Sequence, residues 1–463
     1  MEEQKHVLFF THNEQSHITP MFALARALAG RGMQVTCALP ATAYASYISN
    51  NTKMPSTQEQ AFRVEPVGES PQHSSNDLLL LQEKLEEGLA QLIRRLHPPP
   101  SSLIADIMYF SWSQEFVDRF GLPFFLFGPF GATTLLVACH LPQFLQKGLL
   151  PFQPGMEDEV IDFIPGLMKG FRLGDVPLEF LGRTSEELEA YRFLEHSKAS
   201  SGLVMCNTSY SLKVEAEAMD ALVALGLHIY PLAPILLMDW WNNKTLLYHE
   251  DERCMSWLDR QPQGSVVYAS FGSINPLTKE EVQELALGLE ACGQPFLWVI
   301  RHIDGASDVV SMLPPGFLER INGKGLIVSW APQMAVLSHA SVGCFLFHCG
   351  SASTLEAIWT GVPMIGGFYK ISEQNTAFRV MTEGWRVALP LRQSQTHSPL
   401  RSSIEAAIKE VLYGEREGGA GMRQRIAQLR DALKEAVGPS GISQRYLDQL
   451  VDVLLSSAKE TVS

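Results

Sequence analysis

Residues that could hold a nucleotide are concentrated in one stretch of the second half of the chain. Trp330 follows a predicted strand, where an exposed indole would offer a flat face for stacking a base. Residues 348–356 follow another strand and open a helix, whose first backbone N–H groups can bind phosphate. Glu356 lies one turn into that helix, where its carboxylate can accept hydrogen bonds from two ribose hydroxyls. The adjacent Glu373 and Gln374 could bind sugar hydroxyls, so the stretch predicts a nucleotide-sugar site.

Each of these side chains also has an ordinary structural interpretation. A tryptophan after a strand usually packs against its neighbours, and a glutamate in the first turn of a helix usually complements the helix dipole. What favours the functional interpretation is that all of these residues occur together, Trp330 after a predicted strand and Glu356 near the start of a predicted helix.

The predicted elements around these residues alternate between strands and helices. Strands separated by helices imply a parallel sheet covered on both faces, and ligands bind at the carboxyl ends of such strands. The sequence therefore predicts an α/β protein of two doubly wound, Rossmann-like domains facing across a cleft. The predicted strands are residues 6–11, 34–39, 102–105, 123–127, 265–270, 296–300, 325–329 and 344–348, and the predicted helices are 18–29, 111–120, 279–290 and the region from 403 onward.

The composition limits the classes of function. The 463 residues include 36 Lys and Arg against 50 Asp and Glu, a formal charge of −14, which argues against a nucleic-acid partner. The seven cysteines include no CxxC pair and indicate a reducing compartment. The N-terminus is acidic, and the most apolar stretch, residues 122–145, is interrupted by prolines and glycines. We therefore expect a cytoplasmic protein with neither a secretory signal nor an integral membrane segment.

A family resemblance extends these inferences. The stretch from Trp330 to Gln374 resembles the signature box of plant UDP-dependent glycosyltransferases, which have the two-domain GT-B fold. Segments outside the box are similar to the same family, so the resemblance covers nearly the whole chain. Those segments are residues 164–167, 175–177, 207–208, 254–262, 265–273 and 384–385.

The resemblance assigns a role to each residue of the box. It implies that Trp330 stacks on uracil, Gln333 lies along the base and ribose, and Glu356 holds the ribose hydroxyls. Diphosphate binding is implied for Ser273, His348 and Ser353, sugar binding for Glu373 and Gln374, and the box also includes Ala331, Gly350, Ser351 and Ala352.

The resemblance also implies a catalytic pair, His17 and Asp106. His17 lies in the first strand-to-helix loop and would be the general base, since an imidazole has its pKa near working pH. Asp106 would orient His17 and stabilise the imidazolium. His12, in the same loop, is the alternative base, although its spacing to Pro20 does not match the family pattern. Asp106 has a second interpretation as the N-cap of the predicted helix 111–120.

The domain roles follow from the same resemblance. It implies an acceptor-binding N-terminal domain at 1–237, a UDP-sugar-binding domain at 253–445 and a C-terminal helix at 446–463 that packs back on the first domain. The polar, Trp-containing stretch 238–252 between the two halves is interpreted as the linker. An apolar acceptor pocket is expected from first-domain loops, among them Phe110, residues 127–132, Phe180 and residues 76–92.

The box departs from the family pattern at its sugar end. Family members usually carry Trp-Asn-Ser after His-Cys-Gly, whereas this chain has Ser351-Ala352-Ser353. One extra residue falls within 366–372, and Glu373 stands where Asp is commoner. We therefore expect a looser sugar site with intact uridine and phosphate binding.

The predicted function is inverting transfer of a hexose, with glucose favoured, from UDP to a hydroxyl of a small, largely apolar acceptor such as a phenolic, flavonoid or terpenoid. UDP-sugar is a co-substrate, and we expect no cofactor, no metal and a monomer. A catalytically weakened paralogue that binds UDP-sugar is the alternative that Ser351 and Ala352 raise. A cysteine hydrolase built on Cys349 and a dinucleotide oxidoreductase are disfavoured, since their motifs are missing.

Overall fold

The computed structural model describes residues 4–50, 61–68, 78–109, 116, 118–190, 193–242, 248–272, 277–300, 309–367, 373–391, 401–415 and 418–456. The chain divides into two compact units. The first unit comprises Met1–Pro142, Glu186–Tyr248 and Glu435–Ser463, and the second comprises Gln143–Ser185 and His249–Lys434. Residues 143–185 therefore group with the second unit, whereas the sequence interpretation placed them in the first domain.

The first unit is built on a seven-stranded parallel sheet. Its strand order is β3-β2-β1-β4-β5-β6-β7, and every pairing within it is parallel. Strands β1, β2, β4 and β5 are buried at every residue, because helices cover both faces and leave no solvent-facing alternation. The strands are β1 His6–Phe10, β2 Gln34–Pro40, β3 Phe62–Val67, β4 Ser102–Asp106, β5 Phe124–Gly128, β6 Gly202–Met205 and β7 Ile229–Pro231.

Helices surround this sheet. The last helix, Ile442–Ser456, contributes Leu447, Leu450 and Leu454 to the same apolar core cluster as Val7 of β1. The Ser443 hydroxyl on this helix donates to the Ala233 carbonyl at 2.6 Å. The other helices of these parts of the chain are Gln15–Ala29, Ala41–Asn50, Leu78–Arg95, Ala132–Cys139, Phe193–Ala199, Lys213–Ala224 and Ile235–Asn242, with a 3-10 turn at Ile107–Tyr109.

The second unit repeats the design with six parallel strands in the order β10-β9-β8-β11-β12-β13. The strands are β8 Val266–Ser270, β9 Phe296–Val299, β10 Gly325–Val328, β11 Val342–Phe347, β12 Met364–Gly366 and β13 Ala388–Pro390. Its helices are Leu178–Leu181, Arg253–Leu258, Lys279–Ala291, Phe317–Arg320, Gln333–Leu337, Ser351–Thr360, Gln374–Arg379 and Arg401–Tyr413, with 3-10 turns at Leu173–Asp175 and Val309–Met312 and a π turn at Val380–Gly384.

Three helices cross or adjoin the unit boundaries: Leu141–Gln146, Ser185–Ala190 and Gly419–Ala436.

The two doubly wound parallel sheets confirm the predicted fold class, and all eight predicted strands are present within one or two residues of their expected bounds. The first helix begins at Gln15 rather than at residue 18, so His17 lies inside its first turn. Most of the predicted helix 111–120 lies outside the described residues. The first part of the predicted linker is helical, because the helix Ile235–Asn242 extends into it. Among the described residues, every helix is too short or too polar to span a bilayer.

Strand order determines where each unit can bind a ligand. In the first sheet the order reverses between β1 and β4, and in the second it reverses between β8 and β11. The loops that leave neighbouring strands at such a point run in opposite directions and open a crevice at the carboxyl edge. His17 follows β1 and Asp106 ends β4, while His348 follows β11. His17, Asp106 and His348 therefore lie at the switch points, whereas Trp330 follows the edge strand β10.

Candidate functional site

The switch point of the first unit brings His17 and Asp106 together. Strands β1 and β4 are paired so that Phe10 lies opposite Ala105, which places Asp106 beside the loop that leads to His17. His17 Nδ1 lies 2.7 Å from Asp106 Oδ2, although the residues are 89 positions apart. The Met108 N–H donates to Asp106 Oδ1 at 3.0 Å, which holds the second carboxylate oxygen.

The charge of this pair follows from its surroundings. Asp106 is fully buried, and burial alone would raise its pKa. The charge of His17 and its hydrogen bond outweigh that effect and hold the pKa of Asp106 below its ordinary value. An ionised Asp106 only accepts hydrogen bonds, so Nδ1 of His17 carries a proton, and the lone pair of the neutral imidazole is then on Nε2. A neutral imidazole in this tautomer is able to act as a base.

His12 lies in the same loop but has a different environment. Its ring centroid is 5.3 Å from that of His17, and its Nδ1 lies 3.9 Å from Glu14 Oε1. Burial lowers the pKa of His12, and the nearby His17 lowers it further. The hydrogen bond to the buried Asp106 belongs to His17, so the geometry favours His17 over His12 as the base. The N-cap interpretation of Asp106 concerns a helix that is largely outside the described residues.

A hydrogen-bonded network in the second unit joins residues from three elements. Gln333 opens the helix Gln333–Leu337, and its Nε2 donates to Ser353 Oγ at 2.9 Å and to Glu356 Oε2 at 2.5 Å. On the other side, the Tyr268 hydroxyl on β8 donates to Gln333 Oε1 at 3.1 Å. Three of these side chains were predicted to contact ribose or phosphate, and the network orients them in advance of any ligand. Tyr268 is a positioning residue that the sequence interpretation missed.

Glu356 is fully buried, and among the described residues one of its oxygens is unpaired. Burial raises the pKa of Glu356 to about 8, against the hydrogen bond from Gln333. Within the described part of the chain, Oε1 has no hydrogen-bond partner. A buried polar atom without a partner costs free energy, on the order of 1–3 kcal/mol. A ligand hydroxyl would remove that cost, which suits the predicted ribose contact.

The turn after β11 is tightly built around His348. Cβ atoms placed on Gly272 and Gly350 would each approach His348 Nε2 to 2.8 Å, so a side chain at either position would displace the His348 ring. Gly272 (φ +79°) and Cys349 (φ 68°) adopt the left-handed conformation. Burial lowers the pKa of His348, against a backbone hydrogen bond at Ser270, which favours the neutral imidazole.

Cys349 is unsuited to nucleophilic chemistry. Its side chain is fully buried, and this burial raises the pKa of its thiol far above the ordinary range. A thiol in such surroundings stays protonated and inert. The geometry therefore argues against the cysteine hydrolase.

The helix Ser351–Thr360 presents its N-terminus at the same edge. Its N-cap, Gly350, has no side chain to occupy the first N–H groups, but the Ser351 N–H donates to Glu373 Oε1 at 3.5 Å. The N–H groups that follow in the first turn are therefore the ones suited to bind an anion. The Ser351 hydroxyl donates to Glu373 Oε1 at 3.2 Å, and Ala352 follows on the first turn. Ser351, which stands where the family usually has Trp, thus links the start of this helix to Glu373, the predicted sugar-binding acid.

The remaining predicted residues lie around this edge. Trp330 is partly exposed after β10, and its carbonyl accepts from the Asp251 N–H at 3.0 Å. Ala331 is buried, and Gln374, also buried, opens the helix Gln374–Arg379. Ser273 and most of the region 366–372 lie outside the described residues.

The segment 170–176 packs against the helix that begins at Gln374. Asn375 Nδ2 donates to the carbonyls of Gly174, at 2.9 Å, and of Val176, and the Thr376 hydroxyl donates to the Asp175 carbonyl at 2.6 Å. Arg379 Nε lies 3.3 Å from the carboxylate of Asp175. The sequence interpretation missed these contacts because the partners are about 200 residues apart.

Phe127 and Phe180, two of the residues expected to line the acceptor pocket, are buried. Phe127 belongs to the apolar core of the first unit, Phe180 is fully buried in the second, and Phe110 lies outside the described residues. Burial raises the pKa of Glu179 to about 7, and the negative charge of Glu373 contributes to the rise. The carboxyl group of Glu179 is therefore a second acid near Glu373 and Gln374, the predicted sugar-binding residues.

Comparison with known proteins decides the family. The sequence model of the family described as "UDP-glucoronosyl and UDP-glucosyl transferase" matches residues 207–417. A 7-deoxyloganetin glucosyltransferase of Catharanthus roseus is 30% identical over 98% of this chain and 97% of its own. The chain belongs to the plant UDP-glycosyltransferase family. An (R)-mandelonitrile beta-glucosyltransferase of Prunus dulcis is also 30% identical to this UDP-glycosyltransferase, with 99% of each chain covered.

Solved structures agree with this family. Phytolacca americana UGT2, complexed with UDP-2fluoro-glucose and pterostilbene, is 26% identical to this UDP-glycosyltransferase, with a TM-score of 0.81 over 97% of this chain and 99% of that one. A UDP-glucosyltransferase from Polygonum tinctorium, described as capable of glucosylating indoxyl, is 26% identical with a TM-score of 0.79 over 98% and 99% of the two chains. The family resemblance and the GT-B fold are thereby confirmed, and the roles of individual residues in this UDP-glycosyltransferase remain predictions.

Proposed function

We propose that this enzyme transfers a hexose, preferably glucose, from UDP to a hydroxyl of a small, largely apolar acceptor such as a phenolic, flavonoid or terpenoid. The named relatives are glucosyltransferases, and one solved neighbour holds a fluorinated UDP-glucose together with pterostilbene. The observation that carries the proposal is the hydrogen bond of 2.7 Å between His17 and the buried Asp106. This contact supports His17 as the general base, because it fixes the tautomer that the reaction requires.

The second unit would bind the donor. Trp330 would stack on uracil, and Gln333 and Glu356 would hold the ribose through the network that already joins them. The first turn of the helix Ser351–Thr360, with His348, Ser353 and Ser273, would bind the diphosphate and stabilise the charge that develops as UDP leaves. Glu373 and Gln374 would contact the sugar.

The first unit would bind and activate the acceptor. His17 Nε2 would accept the proton of the acceptor hydroxyl as that oxygen attacks the anomeric carbon, and the bond from this carbon to the diphosphate oxygen would break. Asp106 would stabilise the imidazolium that forms. One displacement inverts the anomeric carbon, so an α-linked donor yields a β-glycoside.

We also propose that the transfer needs no metal. Stabilisation of the diphosphate by the helix and side chains would make a metal unnecessary for the transfer. We further propose the domain roles given above, a cytoplasmic location and a monomeric state, the last of which light scattering of the purified chain would check.

The direct test is a panel of UDP-sugars incubated with phenolic and terpenoid acceptors. Product mass would identify the sugar transferred, and the coupling constant of the anomeric proton would report its configuration. Glucosides of β configuration support the proposal. An α-glycoside would contradict the single displacement, and absence of product in a single turnover would favour the weakened paralogue.

A further inference from the structure

Three side chains with metal-ligating atoms converge on one point where β1 leads into the helix Gln15–Ala29: His12 and Glu14 precede the helix, and His17 lies in its first turn. Ligand atoms of His12, Glu14 and His17 all lie within 4.8 Å of one another. The two oxygens of Glu14 lie between the imidazoles, with Oε1 3.9 Å from His12 Nδ1 and Oε2 3.8 Å from His17 Nε2. We propose that these residues bind one transition-metal dication of the Zn²⁺ class and that the bound ion blocks glycosyl transfer.

The donor set determines the class of ion. Two imidazole nitrogens and one carboxylate suit Zn²⁺, Co²⁺ or Ni²⁺, whereas Mg²⁺ and Ca²⁺ prefer sites made of oxygen ligands. Three protein ligands leave a coordination position for water, as in other two-histidine, one-carboxylate zinc sites.

Asp106 contacts the ring nitrogen of His17 that would not bind the metal. Histidines that bind metals usually donate their other ring N–H to a carboxylate, which fixes the tautomer and makes the ligating nitrogen more basic. His17 has this arrangement, since its Nδ1 pairs with Asp106 at 2.7 Å and its Nε2 faces Glu14.

The ligands can close on an ion with small movements. Tetrahedral zinc with bonds near 2.0–2.1 Å needs ligand atoms about 3.3 Å apart, so the side chains must approach by roughly an ångström. His12 and Glu14 precede the first helix, and both side chains are 27% exposed. The side chain of His17 is 14% exposed, whereas the Nδ1 atom of His12 is buried and has no hydrogen-bond partner among the described residues, so a bound ion would satisfy it.

The charge around the loop favours a cation. The carboxylates of Glu14 and Asp106 both lie close to these histidines, and among the described residues they pair with histidines and a backbone N–H. Two negative charges without a lysine or arginine partner in the described part of the chain would be balanced by a dication.

Metal binding and transfer require the same electron pair. His17 Nε2 must accept the acceptor proton, and a metal bound at that atom occupies its lone pair. The inhibitory part of this inference therefore rests on the proposed function, whereas the binding part does not. Because the ion competes for the base rather than for the nucleotide, saturation with UDP-sugar should not relieve the inhibition.

Calorimetry of the metal-free full chain with ZnCl₂ tests the binding, and the visible absorption of added Co²⁺ tests the ligand set. We expect one ion per chain. We also expect His12→Gln and Glu14→Gln each to weaken Zn²⁺ binding by at least tenfold and Asp106→Asn to weaken it by roughly ten- to hundredfold. His339→Gln is the matched control, because His339 forms another histidine–carboxylate pair, with Asp259 at 3.2 Å.

Unchanged Zn²⁺ affinity in both His12→Gln and Glu14→Gln would overturn the site. Inhibition is measured as the fraction of each protein's own metal-free rate that remains, and we expect EDTA to restore the rate. One bound ion without loss of rate would overturn the inhibitory part. A chain that binds Zn²⁺ at this site but transfers no sugar would contradict the proposed function and leave the metal site standing.

Discussion

Gln333 and Glu356 are joined by a hydrogen bond of 2.5 Å from the amide Nε2 to the buried carboxylate Oε2. The same amide nitrogen contacts Ser353, and Tyr268 holds the amide oxygen. The predicted base, ribose and phosphate contacts are therefore one connected unit rather than separate residues. Preorganisation of this kind lowers the cost of ordering side chains when a nucleotide binds.

We expect His17→Ala to lose nearly all transfer while UDP affinity stays almost unchanged. Loss of a general base typically lowers the rate by about 10²–10⁴-fold, and the nucleotide residues belong to the other unit. Steady-state kinetics and calorimetry with UDP measure the two effects. His12→Ala is the matched comparison, because His12 lies just before the helix that carries His17. A full rate in His17→Ala with a loss of rate in His12→Ala would show that His12, and not His17, is the base.

We expect Trp330→Ala and Glu356→Ala each to weaken UDP binding. Removing a stacking partner or the acceptor of ribose hydrogen bonds costs on the order of 1–3 kcal/mol. Calorimetry with UDP alone is the measurement, with Trp385→Ala as a tryptophan control outside the predicted set. Equal affinities in both variants and the parent would show that the box does not hold the nucleotide.

Nucleoside binding should release a proton near neutral pH. The pKa of Glu356 is raised from 4.5 to about 8 in the ligand-free protein, so this carboxyl is largely protonated at pH 7. Ribose hydroxyls that donate to it stabilise the ionised form and lower its pKa, so affinity should rise with pH up to about 8.

Calorimetry with uridine, in buffers of different ionisation enthalpy, measures this release without interference from phosphate titration. Glu356→Gln has no titrating carboxyl and should show a pH-independent affinity. Proton uptake by the parent, or an affinity that falls from pH 6 to pH 8, would contradict the assignment.

The double change Ser351→Trp with Ala352→Asn should sharpen the preference for UDP-glucose. Buried polar contacts to sugar hydroxyls discriminate strongly, and Ser351 and Ala352 offer few of them. The measurement is kcat/KM for UDP-glucose relative to UDP-galactose and UDP-xylose. Each single change is a control, because Ser351→Trp alone also breaks the hydrogen bond to Glu373. Strict selectivity in the natural chain would instead place the selecting contacts at Glu373 or in the extra residue.

Asn375→Ala should destabilise the second unit and weaken donor binding together. It leaves the part-buried carbonyl of Gly174 and the buried carbonyl of Val176 without this donor, and the loss at Val176 alone costs roughly 1–3 kcal/mol. Thermal unfolding and the KM for UDP-glucose report the two effects. Asn322→Ala, at an exposed position of the same unit, is the control. A lowered melting temperature with an unchanged KM would show that the segment supports the fold without positioning Gln374.

The local pattern of the chain was sufficient to predict a large part of this structure. Apolar runs of strand length alternate with amphipathic stretches, and this periodicity predicts parallel sheets because buried strands show no solvent-facing alternation. The box from Trp330 to Gln374 is contiguous enough to be recognised from residue order alone. Turn chemistry is equally local, as at Gly272, whose φ of +79° favours glycine.

Tertiary structure alone decided which distant residues meet and what charge they carry. His17 and Asp106 are 89 positions apart, and the pairing of β1 with β4 brings them to 2.7 Å. The pKa of Glu356 depends on complete burial, which residue type does not specify. Residues 143–185 group with the second unit through contacts such as Asn375 with Val176. Desolvation and long-range contacts arise only from packing, so no local sequence pattern records them.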